Sequence, residues 1–329
     1  MAEIAKRSDD ITDEQWSKVH EFNREKTLEF IQQGHLSPHT ARQYESALKI
    51  FFVYVHDKFG NLPLHQLKPK HALLYQNYLM SRDMSSSAVK LKRSAVSSLC
   101  GYIELYYNDE FPLFRNIYSK QIPNPPKSFR HEKKPLTPEE IVFLISELEK
   151  RNEWQMVAYV QYSYDTASRR GETRQVLKTV VNASLAKDKS TGEDKKYYYT
   201  HDIRAKGKGK NGKIRKFTYM EETRLAIAKW LEVRGEDDCP FVFVTKTKTG
   251  KVTQASLSLF NGWCADVFSE IIGRRVHPHQ LRSSRATNLV LYENKDIEKV
   301  KGLLGHQSSE TTKIYVVKEG EDDVDDLYD

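Results

Sequence analysis

Four prolines, Pro112, Pro123, Pro125 and Pro126, fall between Asn108 and Lys134, and none of them can sit inside a regular helix or a central strand. Lys127, Arg130, Lys133 and Lys134 make the same stretch basic. Periodic apolar patterns lie on both sides, so the spacing predicts two domains joined by a linker free to follow an anionic surface. With 329 residues, 39% of them apolar, the chain holds enough side chains to fill two cores. The expected division is a frayed tail over 1–12, a helical domain over 13–108, the linker over 109–134, a second domain over 135–318 and an acidic tail over 319–329.

In the first part, Trp16, Val19, Phe22, Leu28 and Ile31 fit one helix over about 13–33. Ser37-Pro38 is a helix start, a cap followed by proline at the first helical position, and Ala41, Tyr44, Leu48, Phe51, Phe52 and Val55 give that helix one apolar stripe. Gly60, Asn61 and Pro63 end it. A third helix is expected over about 68–80 and a fourth over about 86–107. The fourth has Ala88, Leu91, Ala95, Leu99, Tyr102 and Tyr106 as its stripe, with Lys90, Arg93, Ser94 and Ser97 opposite. Small polar and basic residues on a helix face let a backbone approach phosphates closely; any solvated helix carries them too.

The second part opens with Thr137-Pro138-Glu139-Glu140, a capping box with proline at the first helical position. Helices are expected over about 137–148 and 154–166, strands over 180–186, 197–205 and 214–219, a helix near 221–233, a short strand over 241–245 and helices from about 254 onward. Asn211-Gly212 signals a hairpin. The fold class is therefore mainly α with a small antiparallel sheet.

Charge separates along the chain. Residues 1–110 hold 14 Lys and Arg against 14 Asp and Glu, residues 111–318 hold 38 against 24, and the last 11 residues hold 7 acids and no base, for a net +7. The basic middle suits a polyanion such as nucleic acid, or a well-solvated surface. Nothing in the sequence resembles a membrane span or a secretory leader. Cys100, Cys239 and Cys264 are too few and scattered for a disulfide framework or a zinc cluster, which points to a reducing cytosol.

Four separated stretches carry groups suited to chemistry. Asp165-Thr166-Ala167-Ser168-Arg169-Arg170-Gly171-Glu172 ends a helix in small residues, two arginines and an acid. Ala205-Lys206-Gly207-Lys208-Gly209-Lys210 puts lysines on a glycine-rich hairpin. In His277-Pro278-His279-Gln280-Leu281-Arg282, His279 and Arg282 lie three apart in a first helical turn. Leu303-Leu304-Gly305-His306-Gln307 ends a helix at Gly305, and Tyr315 follows nine residues after His306. A tyrosine so placed serves as a nucleophile only if other groups lower the cost of its attack. Each stretch alone has an ordinary explanation as surface charge, mobile loop or packed histidine.

Their order resembles the tyrosine recombinase, or phage integrase, family. Thr166-Ala167-Ser168-Arg169-Arg170-Gly171-Glu172 is similar to that family's Thr-Gly-x-Arg-x-x-Glu, His279-Gln280-Leu281-Arg282 to its His-x-Leu-Arg, and Leu304-Gly305-His306 with Tyr315 to its Leu-Gly-His and tyrosine. Ser37-Pro38-His39-Thr40 through Tyr44 and Leu48 resembles its helical core-binding (SAM-like) domain. The resemblance implies a core-binding domain followed by a mixed α+β catalytic domain, the pair closing on DNA as a C-shaped clamp. Ala167-Ser168 stands where glycine and an apolar residue are common, so Arg169 rather than Arg170 rests on its spacing to Glu172. Ser283 stands where many members have histidine, and Arg285 is an extra basic residue.

The resemblance also implies the chemistry. Tyr315 attacks the scissile phosphate to form a 3′-phosphotyrosyl link, Arg169 and Arg282 hold the non-bridging oxygens, and Lys206 protonates the leaving oxygen, with Lys208 and Lys210 able to stand in. His279 assists proton transfer, His306 bonds the phosphate, and Glu172 orients a neighbour or is a plain surface acid. Lys90, Arg93, Lys208, Lys210 and Arg285 are candidate DNA contacts. No cofactor and no metal are expected. The implied partner is double-stranded DNA, bound by a homotetramer on paired sites, with accessory DNA-bending or directionality proteins, no membrane, and a cytoplasmic, nucleoid-associated setting. The absence of room for an arm-binding domain before residue 13 resembles the two-domain Xer, plasmid and transposon enzymes. A type IB topoisomerase, whose N-terminal region is typically rich in strands, and a DNA-binding protein of the same fold without catalysis are the alternatives.

Overall fold

The computed structural model describes residues 10–34, 36–118, 122–126, 134–205 and 213–305. Lys206, Lys208, Lys210, His306, Tyr315 and the acidic segment 319–329 lie outside the described residues. The described chain falls into two compact units, one ending at residue 126 and the other beginning at 134.

The first unit is helical. The single helix expected over 13–33 is two, α1 (Asp13–Ser17) and α2 (Glu21–Ile31). Asn61, in the turn after the long third helix and at φ 57°, accounts for the break: its Oδ1 accepts from His20 N at 2.8 Å and its Nδ2 donates to Lys18 O at 2.9 Å. A side chain that satisfies both backbone groups at 18–20 replaces the helical bonds there. Helix α3 (Pro38–Phe59) starts where Ser37 Oγ accepts from Thr40 N at 3.1 Å and stops at the left-handed Gly60. Its inner stripe, with Leu48, Phe51, Phe52 and Val55 all buried, packs on α5 (Ser86–Tyr106), and Phe51 meets Tyr75 of α4 (Pro69–Ser81) edge to face with ring centroids 4.9 Å apart.

The buried face of α5 is rotated from the expected one. It runs through Val89, Lys92, Ala95, Val96, Leu99, Cys100 and Ile103, so Ala95 and Leu99 of the expected stripe are buried while Tyr106 is exposed. Tyr102 stays at the core's edge because its hydroxyl donates to Glu29, which also accepts from Tyr107 Oη at 2.6 Å; an aromatic with a polar tip is placed where both ends are satisfied. Lys92, carried inward by this rotation, has its ammonium lowered from the ordinary value by burial. Beyond α5, Phe114, Ile117, Tyr118 and Ile122 are buried in the same core.

The second unit begins with α6 (Pro138–Lys150), where Thr137 and Glu140 form the expected capping box, and α7 (Trp154–Asp165). The short helix α8 (Arg170–Thr173) follows a turn in which the buried Ala167 takes φ 48°. Of the strand expected over 180–186, residues 180–182 belong to a tight 3₁₀ turn, Lys178–Asn182, and only its end, 185–186, is strand. Lys178 N donates to Pro240 O at 2.8 Å and Tyr219 Oη to Val180 O at 2.5 Å, bonds that a strand ladder would have used differently. Next come β1 (Leu185–Lys187), β2 (Asp194–Tyr199), β3 (Ile203–Ala205), β4 (Lys213–Arg215) and β5 (Thr218–Tyr219).

Strands β1, β2 and β5 make one antiparallel sheet and β3–β4 a separate ribbon with Ile203 opposite Arg215. The expected continuous hairpin is kinked at Thr200, whose Oγ1 accepts from Phe217 N at 2.9 Å while its N donates to Phe217 O at 2.9 Å. A side chain has replaced a ladder acceptor, and regular pairing stops for a few residues.

Helix α9 (Glu221–Arg234) leads to a third pair, β6 (Val244–Lys246) with β7 (Val252–Gln254). Then α10 (Leu257–Gly262) runs through a π-helical turn at Trp263–Phe268 into α11 (Ser269–Ile272). Ser269 Oγ donates to Cys264 O at 2.7 Å inside that turn, the kind of side-chain insertion that widens a helix. Helices α12 (Pro278–Leu291) and α13 (Ile297–Leu304) complete the unit. Its core stacks Tyr159 on Phe260 with ring centroids 4.5 Å apart. The thiols of Cys100 and Cys264 are buried and pushed up to about 12 by that burial, so both behave as small apolar side chains. No helix among the described residues is long and apolar enough to cross a membrane.

Candidate active site

Helix α12 is fixed first. The chain entering the second unit lies along it: Gln280 Nε2 donates to Lys134 O at 2.5 Å, Leu136 N donates to Ser284 Oγ at 2.7 Å, and Asn288 Nδ2 donates to Leu136 O at 3.1 Å. These bonds lie on the inward side of the helix and leave His279, in its first turn, exposed. Arg282, one turn further on, is fully buried. Its Nη1 donates to Ala167 O at 2.5 Å and its Nη2 to Leu304 O at 2.7 Å.

Those two carbonyls belong to two of the stretches singled out by sequence. Ala167 turns the chain out of α7. Because Glu172 and Thr173 amides then bond Arg169 O at 2.7 and 2.8 Å, Arg169 sits at the mouth of α8. The Glu172 carboxylate is buried and holds Arg169 twice, accepting from its N at 2.8 Å and from Nη1 at 3.0 Å. Arg170 points elsewhere, to Asn261 Oδ1. Leu304 is the last residue of α13, whose C-terminal carbonyls have no helical donor. Below both lies a small apolar cluster of Ala167, Ala286, Leu289, Val300 and Leu304, which seats α13 against α12 and the 167 turn.

A third guanidinium joins them that the sequence reading did not select. Arg215, on β4, donates from Nη2 to Leu303 O at 2.6 Å and stacks on Phe217 with its guanidinium carbon 4.1 Å from the ring centroid. Burial lowers its guanidinium from the ordinary value, with the Glu172 carboxylate opposing that shift and the Arg169 charge adding to it. A signal was present in the sequence: Arg215 shares the two-residue alternation of Phe217 and Tyr219, the buried face of the strand. An arginine on an inward register needs partners.

Gln175 is a second residue that sequence reasoning missed. Its Nε2 donates to Gly171 O at 2.6 Å and Arg204 O at 2.9 Å, and its Oε1 accepts from Arg204 N at 3.2 Å, so the root of the lysine hairpin is tied to α8. Among the described residues the site thus sets three guanidiniums, Arg169, Arg215 and Arg282, against one carboxylate, Glu172. That excess of positive charge on planar forks suits a phosphate or another oxyanion.

Three further candidates among the described residues make other contacts. Arg285 pairs with Glu293 at 2.6 Å and lies over the Tyr164 ring. Lys90 is exposed on α5 and lines a groove with Tyr44, Ser94 and Ser97. Arg93 borders the same groove, but Nη1 donates to Gln76 Oε1 and to Pro123 O, both at 2.6 Å, and Nη2 to Ile122 O at 3.3 Å. It fastens the segment leaving α5 to the helical unit. Arg93→Ala is expected to cost this unit about 1–3 kcal/mol, measured by hydrogen exchange of α4 and α5 amides in the full chain. A change below about 0.5 kcal/mol would mean that the latch contributes nothing.

The helical unit, the α+β unit and the ordered motifs together define a tyrosine recombinase fold. Residues 134–321 match the Phage integrase family and residues 27–104 the Phage integrase, N-terminal SAM-like domain, and the chain belongs to that family. It is 29% identical over 324 residues to the SPbeta prophage-derived recombinase-like protein YomM of Bacillus subtilis (strain 168), covering 97% of this chain and 94% of that one. It is 24% identical to the tyrosine recombinase XerC of Oceanobacillus iheyensis, over 88% of each. Among solved structures, the Tn1549 transposon integrase in complex with circular intermediate DNA has the same fold at a TM-score of 0.66 and 14% identity, covering 94% of this chain and 99% of that one. A lambda integrase dimer bound to a COC′ core site has it at 0.63 and 15%, covering 92% and 96%.

Proposed function

We propose that this chain is a site-specific DNA recombinase that cuts and rejoins double-stranded DNA through a 3′-phosphotyrosyl intermediate. The observation that carries the reading is the convergence of Arg169, Arg215 and Arg282 on the carbonyls and carboxylate around Ala167, Glu172 and Leu304, next in sequence to His306. Positive charge held at low dielectric before substrate arrives stabilises a phosphorane-like transition state without reorganisation.

In this reading the phenolate oxygen of Tyr315 attacks phosphorus and the bond from phosphorus to the 5′ oxygen breaks. The electron pair leaves with that oxygen, which takes a proton from Lys206, or from Lys208 or Lys210 on the same hairpin. His279 takes the tyrosine proton, His306 bonds the phosphate, and Glu172 orients Arg169. Rejoining is the same step reversed with a 5′ hydroxyl from the partner strand, so four protomers on two sites would exchange one strand pair at a time through a Holliday junction. Lys90 and the groove it lines are the proposed phosphate contacts of the helical unit; affinity should then fall steeply with salt. The cleavage step takes its charge stabilisation from arginines and is expected to persist in EDTA.

The test uses labelled, nicked duplexes drawn from the DNA on either side of the chain's own coding sequence, incubated with protein in EDTA and run on a denaturing gel. A covalent complex is expected, and Tyr315→Phe should reduce it by at least about 10³-fold, since no other group inherits a nucleophile's role. Recombinants formed by Tyr315→Phe would overturn the mechanism.

A further inference from the structure

The C-terminus of α13 is held from two sides. Arg282, on α12, takes Leu304 O, and Arg215, on β4, takes Leu303 O. The next residue is Gly305, at φ 66°, and a β-carbon built on it would overlap Arg215 Nη1. The left-handed backbone favours glycine here, and an alanine methyl at this position would push the Arg215 guanidinium aside. Phe217 fixes the plane of that guanidinium by stacking. Arg215 also ends the ribbon whose other strand, β3, runs into Lys206, and its partner in the ladder is Ile203.

We infer that Arg215 is a positioning residue for strand cleavage: it clamps the turn before His306 to the strand that closes the lysine hairpin, so the two halves of the active site are set as one piece. The inference rests on the recombinase reading above for its effect on rate, though not for the clamp itself. Its consequence is that β4 and the end of α13 cannot shift independently. An enzyme that loses Arg215 keeps Tyr315, the hairpin lysines and the other two guanidiniums but holds them in register only part of the time.

Two measurements test this on the full chain. The first is hydrogen exchange without DNA. In Arg215→Gln, amides at the end of α13 are expected to exchange at least about 10-fold faster, with α12 and the helical unit unchanged. The second is the single-turnover rate of covalent-complex formation at saturating nicked duplex. Arg215→Gln should lower it about 10- to 100-fold at saturating duplex, where any loss of affinity is already compensated, the signature of an interaction needed after binding.

Arg215→Lys should recover part of the rate, because an ammonium reaches Leu303 O even though it cannot stack as a fork. Gly305→Ala should slow cleavage as Arg215→Gln does, and the double variant should be little worse than either. Unchanged exchange in Arg215→Gln overturns the inference whether or not any duplex is cut. Fast exchange with a wild-type cleavage rate overturns the positioning role. If the wild-type protein cuts no duplex, the recombinase reading fails, and the exchange result still decides the clamp. Should Arg215→Gln not fold, Arg215→Lys and Gly305→Ala carry both measurements; wild-type exchange and rate in these two overturn the inference as well.

Discussion

Arg282→Ala is expected to destabilise the second unit by roughly 2–4 kcal/mol and to remove detectable strand cleavage. The side chain is fully buried, and its two bonds go to Ala167 O and Leu304 O, acceptors from opposite ends of the site. Truncation strips both carbonyls of a charged donor at once and empties the space of a fully buried side chain. A buried guanidinium also carries a desolvation cost that the alanine variant escapes, which keeps the expected loss from being larger. Arg282→Lys separates the two roles: it retains the charge, spans only one carbonyl, and should recover more stability than activity. Urea unfolding paired with the covalent-complex assay reads both. Stability of Arg282→Ala within about 0.5 kcal/mol of wild type would show that the grip on the two turns is not structural.

The second large effect lies outside the candidate site. The Arg234 side chain is fully buried at the end of α9 and makes five bonds: Nε and Nη2 to the two Asp237 carboxylate oxygens at 2.6 and 2.5 Å, Nη1 to Phe241 O at 2.6 Å and Val242 O at 3.2 Å, and Nη2 to Cys239 O at 3.1 Å. It closes the loop that leads into β6. Arg234→Ala should cost about 3–5 kcal/mol, because it abandons Asp237 and three carbonyls together. The carboxyl of Asp237 is held down to about 2, first by its bonds from Arg234. A depressed carboxylate stabilises the fold above its unfolded value near 4 and loses that contribution as pH falls from about 4 to about 2. Wild type should therefore lose stability across that window more steeply than Arg234→Ala. Equal acid slopes would mean that the pair is not formed in solution.

What could be read from the sequence were features decided within a few residues. Ser37-Pro38 and Thr137-Pro138-Glu139-Glu140 start helices because a cap acts on amides two or three positions away, and both helices begin there. The mainly helical class and the family followed from periodicity and motif order. What stayed hidden depended on distant partners. The break at 18–20 is imposed by Asn61, 41 residues from His20. Tyr102 stays at the edge of the α5 core face because its hydroxyl answers to Glu29 on another helix. Val180 looked like strand by composition, yet its carbonyl is taken by a tyrosine 39 residues on. Within the candidate site, Arg169, Glu172 and Arg282 stood out by spacing, and the structure brings the turn of the first two to the side chain of the third. Arg215 did not stand out, because its partner Leu303 lies 88 residues away.

The same separations bear on how the protein is made. The bonds that assemble the cluster join residues 115 apart for Arg282 with Ala167 and 88 apart for Arg215 with Leu303, and the strap that seats α12 spans 148 from Leu136 to Ser284. Contacts of such range form late, after loop-closure entropy has been met by the local helices. A ribosome that has synthesised the chain only as far as α11 carries Arg169 and Arg215 but neither of the bonds that gather them. The nascent protein therefore emerges without the assembled arginine cluster, which is completed only when the last two helices dock, so on the proposed function it cannot cut nucleic acid until it leaves the ribosome.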